Sequence, residues 1–383
     1  MKNYKALESE LNKICLNRAE EIRALILAHI SRTHIVMLGT PGTAKSYLVR
    51  KFAEAFPTTE KKTTSIPYFE VGLNGFTKPE DVFGPIDVNK WKSDSELVYK
   101  SENFLPNARI AFVDELSRGE SVLNSLLTIV NERVFNVNGI ATPVPLETCV
   151  SATNFKLNSV EMEAMRDRFL QWLNPKKLVE EKDMISMWMA SEKSVTVKIS
   201  EKEVAQVREE VENVKLDIDV LKTFKRLLDE LNRECGIILS DRRTKMMIKL
   251  IKASAWYNGH DTIQDEDLKD LWSCCWTDEN DIMKIKSVIK KIADYQAYVI
   301  GEVMAESMEA FTIWKTIKEQ DRTIGDTDKC RTTNIRCYDK LDKFRTIKPS
   351  NQADYNLAMT MLKRFGSEIT EWMNNYGKTK RIA

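Results

Sequence analysis

Lys45 and Ser46 close the stretch Gly39-Thr40-Pro41-Gly42-Thr43-Ala44-Lys45-Ser46. It follows the apolar run Ile35-Val36-Met37-Leu38 and precedes Tyr47. A strand-length apolar run that enters a glycine-containing turn and then opens a helix is a phosphate-binding arrangement. Backbone N–H groups of the turn point inward, and the helix N-terminus adds positive dipole. The lysine of such a loop reaches the β- and γ-phosphates, and the hydroxyl after it sits on Mg²⁺. Glycine is usual before the lysine. Ala44 stands there instead, small and able to take helical dihedrals, so the loop can still close.

A second signal is Ala108-Arg109-Ile110-Ala111-Phe112-Val113-Asp114-Glu115, a buried strand ending in adjacent carboxylates. Phosphoryl transfer needs one carboxylate to hold hydrated Mg²⁺. It needs another, close but unbound, to orient and deprotonate the attacking water. Asp114 takes the first role and Glu115 the second. The apolar run Thr148–Thr153 ends at Asn154. Its amide either holds the γ-phosphate or the lytic water, or closes an Asx-turn at a strand end. Arg166 and Arg168 precede a last strand over Phe169–Leu173, and Arg242 and Arg243 open a helix capped by Ser240 or Asp241. Cations there oppose the helix dipole, so an anion nearby or a salt bridge must account for them.

A parallel sheet is what brings such groups together, and the pattern predicts one. Leu7, Leu11, Ile14, Ile22, Leu25 and Ile26 mark one or two helices before the first strand, with Arg18, Glu20, Glu21 and Arg23 on a solvated face. A helix follows the phosphate loop to about Phe56, and Pro67–Val71 reads as a strand. Thr77 caps a short helix with Pro79 in its first turn, stopped by Gly84-Pro85. Asp87–Lys100 reads as a projecting hairpin or loop, Leu116–Glu132 as a helix, and Phe135–Pro145 as a hairpin turning at Asn138-Gly139. Strands alternating with helices give an α/β fold.

Past Pro175 the pattern is helical, with Ser194–Ile199 the last candidate strand. Met184, Ile185, Met187, Trp188 and Met189 read as a packing cluster. Ser200–Glu203 is a capping box, and Thr262–Trp276 reads as one helix. The remainder is helical and charged, with Ile285, Val288, Ile292, Val299, Val303, Met308 and Ile313 on apolar faces.

A net charge of +1 over 383 residues gives no overall pull toward nucleic acid or anionic membrane. No apolar run approaches the ~20 residues of a membrane span, and Met1–Lys5 leads into no secretory signal. Seven scattered cysteines without a Cys-x-x-Cys pair read as reduced thiols of a cytoplasmic protein. Three histidines argue against a His-built metal site or triad.

Together these residues resemble the AAA+ ATPases and, within them, the MoxR family, closest to its RavA branch. The resemblance covers about residues 5–278. That branch also carries alanine before the lysine. Pro79–Pro85 looks like the segment preceding its helix-2 insert, so Asp87–Lys100 is the expected insert, with Lys90-Trp91-Lys92 near its tip. Leu126–Arg133 matches the family's helix beyond the Walker B strand.

The resemblance implies a P-loop αβα core with a parallel sheet over residues 1–178 and an all-α lid over 179–278; residues 279–383 fall outside it and read, from their pattern, as a helical C-terminal extension. It implies ATP held by Gly39, Thr40, Pro41, Gly42, Thr43, Ala44, Lys45, Ser46 and Tyr47, and Mg²⁺ held by Ser46 and Asp114. Glu115 becomes the catalytic carboxylate, Asn154 sensor 1, Arg168 the arginine finger and Arg242 sensor 2. Arg166 and Arg243 are neighbours that could exchange those last two roles. A hexameric ring, a remodelled protein client and a partner with a von Willebrand factor A domain are further implications. Two other readings compete: a nucleic-acid-stimulated motor, whose basic pore would not show in net charge, and a nucleotide-gated scaffold.

Overall fold

The computed structural model describes residues 1–58, 65–94, 98–154, 165–191, 193–317, 322–344, 346–348 and 351–379. The chain forms two compact units, Met1–Ile285 and Lys286–Ala383. Among the described residues no helix is long and apolar enough to cross a membrane.

The strands of the first unit are β1 (Ile35–Leu38), β2 (Ile66–Gly72), β3 (Ala108–Asp114), β4 (Val134–Val137), β5 (Ile140–Pro143), β6 (Thr148–Thr153) and β7 (Gln171–Leu173). Five of them pair in the order β2-β3-β6-β1-β7, all parallel. β4 and β5 form the separate hairpin expected around Asn138-Gly139. β1 and β6 are buried along their whole length, and β3 up to Asp114. Such unbroken apolar runs suit a sheet covered on both faces. The order places the ends of β1, β3 and β6 side by side at one edge, where open parallel sheets bind ligands.

The helices are α1 (Lys2–Ile14), α2 (Ala19–Ser31), α3 (Lys45–Ala53), α4 (Pro79–Phe83), α5 (Val88–Asp94), α6 (Glu120–Glu132), α7 (Glu181–Met189), α8 (Glu201–Glu212), α9 (Ile218–Cys235) and α10 (Asp241–Asn258). Arg23 of α2 grips Asp270 through two hydrogen bonds of 2.7 and 2.8 Å, holding the later helices against the N-terminal ones.

Several local expectations change. Within Asp87–Lys100, expected as a hairpin or loop, residues Val88–Asp94 wind as α5, and Ile86 and Tyr99 bridge at the base. The Asp87 carboxylate starts that helix by accepting from Asn89 N at 3.0 Å. Residues 95–97, Leu97 among them, lie outside the described residues. Thr77 does not cap α4. Its hydroxyl accepts from Asn74 N at 2.8 Å, and the cap is Lys78, whose N–H donates to Asp81 at 2.9 Å. Ser200 caps α8, but the Glu203 carboxylate accepts from Asn3 at 2.8 Å, so only half the box forms.

Thr262–Trp276 is not one helix. It winds as a 3₁₀ run over Asp265–Leu271, tightened by Gln264 N donating to buried Asp267 at 2.8 Å, then as a single α turn, Trp272–Cys275. Among the described residues Ser194–Ile199 pairs with no strand: Val195 N donates to Glu54, and Thr196 N and Val197 N donate to Glu10. Carboxylates there take the place of a neighbouring ladder.

From Ile282 the chain continues as α11 (Ile282–Ala293), α12 (Tyr295–Thr316), α13 (Ile324–Asp342) and α14 (Gln352–Thr379). The last three pack on one another around two clusters. One holds Val299, Ile300, Val303, Cys337, Leu341 and Leu362, and the other Phe311, Trp314, Cys330, Phe365, Ile369 and Trp372. Phe311 and Phe365 stack with centroids 3.8 Å apart. Met308 and Ile313, expected on the apolar face, are exposed instead.

Candidate functional site

Buried β1 delivers the chain to the phosphate loop. Gly39 (φ 138°) and Gly42 (φ 83°) take dihedrals that favour glycine. A Cβ on Gly39 would come within 3.3 Å of Asn174 Oδ1 and Pro175 O, so the loop lies close against the chain leaving β7. Ala44 does not adopt helical dihedrals: it is left-handed, at φ 60° and ψ 29°. That conformation costs a Cβ-bearing residue about 1–2 kcal/mol. Lys45 Nζ donates to Gly39 O at 2.9 Å, Thr40 O at 3.1 Å and Thr43 Oγ1 at 3.4 Å. Burial lowers its pKa, against the pull of Asp114 and Glu115.

Arg18 is buried rather than solvated, and donates to Thr43 O at 3.2 Å and Lys176 O at 2.7 Å. It ties the loop to the segment after β7. Its sequence neighbours carried no sign of this, because both acceptors are backbone groups of distant segments.

The carboxylates lie two strands away. In register, Leu38 of β1 faces Thr153, and Val113 of β3 faces Ser151. Asp114 Oδ1 accepts from Glu115 N at 3.0 Å. Glu115 is left-handed (φ 53°), which turns its side chain off the strand line. Asn154 Nδ2 then donates to Glu115 Oε1 at 2.7 Å, which pairs the strand-end amide with the carboxylate; the residues that would close an Asx-turn lie outside the described residues. Among the described residues Glu115 Oε2 is buried without a hydrogen-bond partner, and it pairs with Arg118 Nε at 3.5 Å. A buried carboxylate oxygen held by one long ion pair keeps the acceptor capacity to receive a proton from water.

The Ser46 hydroxyl and Asp114 carboxylate are hard oxygen donors that suit Mg²⁺. Among the described residues no three His, Cys, Asp or Glu side chains converge on a metal site. Mg²⁺ needs no such cage, since it takes most ligands from substrate phosphates and water.

The arginines lie elsewhere. Gln171 N donates to His34 O at 3.2 Å, which sets the start of β7 beside the start of β1. Residues 165–170 therefore lie at the opposite edge of the sheet. At ~3.3 Å per residue, the run from His34 to Gly39 puts them about 16 Å from the phosphate loop. Ser240 Oγ donates to Asp167 at 2.9 Å, which fixes the N-terminus of α10 at that same edge.

Arg243 is buried there. It donates to Cys274 O at 2.9 Å, Leu170 O at 2.6 Å, Phe169 O at 3.2 Å and Arg166 O. Carbonyls, rather than an anion or a carboxylate, account for this cation. Arg242 is exposed beside it. Arg166 donates to Thr277 O at 3.2 Å and lies over the Trp172 ring, while Arg168 is partly exposed on the same turn. The fold thus gathers Lys45, Ser46, Asp114, Glu115 and Asn154 at one edge, and gathers Arg168 and Arg242 at the other.

Beside the phosphate loop opens a cavity of about 800 Å³. Thr43, Ala44 and Tyr47 line one side, and Met184 and Met187 of α7 line another. The methionine cluster is not packing: α7 buries no side chain, and Trp188 is 67% and Met189 82% exposed.

Comparison with known proteins places this geometry. Residues 2–215 match the family described as the MoxR domain in the MoxR-vWA-beta-propeller ternary systems, and residues 218–289 match an AAA lid domain. An uncharacterised protein of Methanocaldococcus jannaschii is 32% identical over 78% of this chain and 76% of its own length. The chaperone MoxR1 of Mycobacterium tuberculosis is 27% identical over 43% of this chain and 42% of its own length. A crystal structure of a Cytophaga hutchinsonii protein assigned as an ATPase shares the fold, with a TM-score of 0.59 at 20% identity over 76% of this chain and 94% of its own.

Proposed function

Because the chain belongs to the MoxR family of AAA+ ATPases, we propose that it is a ring-forming ATP hydrolase that remodels a protein client. The observation that carries this reading is the division of the site. The Glu115–Asn154 pair, at 2.7 Å, lies at the phosphate-loop edge, while Arg168 and Arg242 lie at the far one. One protomer then holds two half-sites, and a ring joins each phosphate loop to a neighbour's arginines.

In this reading the backbone of Gly39–Ser46 and the Lys45 ammonium bind the ATP phosphates, and Tyr47 follows them. Ser46 and Asp114 hold Mg²⁺, which when bound offsets charge on the β- and γ-phosphates. Asn154 orients Glu115, and Glu115 takes the proton of the attacking water. Arg168 stabilises charge developing on the neighbour's γ-phosphate, and Arg242 acts beside it. A finger supplied in trans is worth ~10³–10⁵ in rate, about 4–7 kcal/mol. Ala44 and the Pro79–Pro85 segment support a RavA-like branch. The family's description supports a partner with a von Willebrand factor A domain, and Trp91, 53% exposed on α5, is the contact we assign to partner or client.

The test is ATP hydrolysis per protomer across protein concentration, for the wild type and for Glu115→Gln mixed with Arg168→Ala. Activity is expected to rise steeply with concentration. The mixture should recover part of it, since each variant keeps the half the other lacks. Flat activity without recovery would mean that protomers work alone.

A further inference from the structure

We propose that the second unit carries a binding groove for the C-terminal end of an extended peptide, in which Arg331 and Lys363 take the terminal carboxylate and side chains of α14 take the main chain behind it. The groove lies beyond residue 289, where the family matches end, and does not depend on the nucleotide reading above.

The groove, of about 980 Å³, runs between α13 and α14. Its floor is fixed. Asn334 of α13 accepts from Ser307 of α12 at 3.2 Å and donates through Nδ2 to Leu362 O of α14 at 3.1 Å, so one amide ties three helices. That nitrogen has a second N–H to offer. A Cβ on Gly366 would come within 3.3 Å of it, so glycine keeps the groove open to the amide. Elsewhere in a helix interior, glycine is less favourable than alanine.

The walls differ in chemistry. Nearby cations are neutralised: Arg336 pairs with Glu306, and Arg364 with Glu368 at 3.1 Å. Arg331 and Lys363, which line the groove, make no ion pair among the described residues. A guanidinium fork and an ammonium are natural partners of a carboxylate. Along α14 the polarity reverses. The Ser367 hydroxyl donates to Lys363 O at 3.0 Å and the Thr370 hydroxyl to Gly366 O at 2.7 Å, so both oxygens are left to the groove as acceptors. Glu371 and Asn374 continue the row. Such acceptors disfavour a bare phosphate and suit the N–H groups of a chain. The helix rises ~16 Å from Lys363 to Asn374, the length of about five extended residues. Ile335, 49% exposed, offers an apolar contact to a peptide side chain. Cations, acceptors and length together fit a peptide that ends in a free carboxylate.

The experiment uses the full chain and a set of random heptapeptides, each made with a free C-terminus and again as the C-terminal amide. Binding is measured by fluorescence anisotropy for the wild type, for Arg331→Gln with Lys363→Gln, and for Arg364→Gln, a neighbouring cation that does not line the groove. Free-acid peptides are expected to bind, and their amides about tenfold more weakly, because a charge-assisted contact is lost. The double variant should lose the same factor with its melting temperature unchanged, and Arg364→Gln should lose nothing. Equal affinity for acids and amides, binding by neither, an unaffected double variant or an equal loss in Arg364→Gln would overturn the proposal. So would inorganic phosphate that binds as tightly as the peptides, which would mean a site for the anion alone.

Discussion

Arg242 and Arg243 are adjacent and chemically identical, yet the fold gives them opposite surroundings. Arg243 is 5% exposed and donates to four backbone carbonyls drawn from two segments, 166–170 and Cys274. Removing a buried donor leaves each acceptor without its water. Arg243→Ala is therefore expected to lower the unfolding free energy of the first unit by about 3 kcal/mol. Arg242→Ala, at an exposed position, should leave the denaturant midpoint in place while reducing ATP hydrolysis by assembled protein. Equal midpoints for the two variants would undo this assignment. Ala44 and Glu115 are a second contrast with expectation. Both are non-glycine residues in the left-handed region, and both lie where ligand chemistry is assigned, which is where such strain persists.

A buried polar chain ties helices to sheet on the side away from that chemistry. Tyr4 of α1 meets His29 Nδ1 of α2 at 3.2 Å, and His29 Nε2 meets Glu147 at 2.7 Å. Arg109 of β3 and Arg208 of α8 close on Glu147 at 3.0 and 3.2 Å. Burial pushes His29 down to about 4, against the pull of Glu147, and pushes His34 down to about 3. Burial alone would raise Glu147, but the His29 hydrogen bond and the Arg208 and Arg109 charges hold it below the usual carboxylate range. A neutral His29 satisfies the chain: Nε2–H donates to Glu147, and Nδ1 accepts from the Tyr4 hydroxyl.

The unfolded imidazoles titrate near about 6.5, so between there and about 4 the unfolded chain binds protons that the folded chain does not. Stability is full above about pH 6.5 and falls as pH drops toward 4, by on the order of 3 kcal/mol per imidazole. Below about 4.5 protonation of Glu147 adds to the loss. Urea unfolding from pH 7 to 4.5 should show this slope, and His29→Gln should remove about one proton from it. A flat profile across that range would rule the assignment out.

The two units carry separate cores, and the family matches end at residue 289. Trp314 is 3% exposed within the Phe311–Trp372 cluster of the second unit. Its indole Nε1 donates to Thr327 at 3.1 Å, and the Arg322 guanidinium lies 4.3 Å above the ring. Truncating a buried tryptophan typically costs ~3–5 kcal/mol. Trp314→Ala should therefore lower one calorimetric transition and leave the other, with ATP binding by the first unit unchanged. A matching fall in ATP affinity would show that the units do not fold independently.

Much of the sheet and the phosphate-loop half of the site was legible in the residues alone, because each signal is local. Four apolar residues before a glycine turn, or five in the six residues before paired carboxylates, must be buried wherever the chain goes, and capping oxygens act within three residues. What the chain order could not decide depends on partners far along it. Arg18 reads as a surface charge until Thr43 and Lys176 meet it, 25 and 158 residues away. The methionines of α7 read as core until no core arrives to cover them. Nor does spacing distinguish Arg242 from Arg243, or place both at the edge away from Lys45. Only the parallel pairing of β1 with β7 does that, because pairing fixes which strand ends lie together.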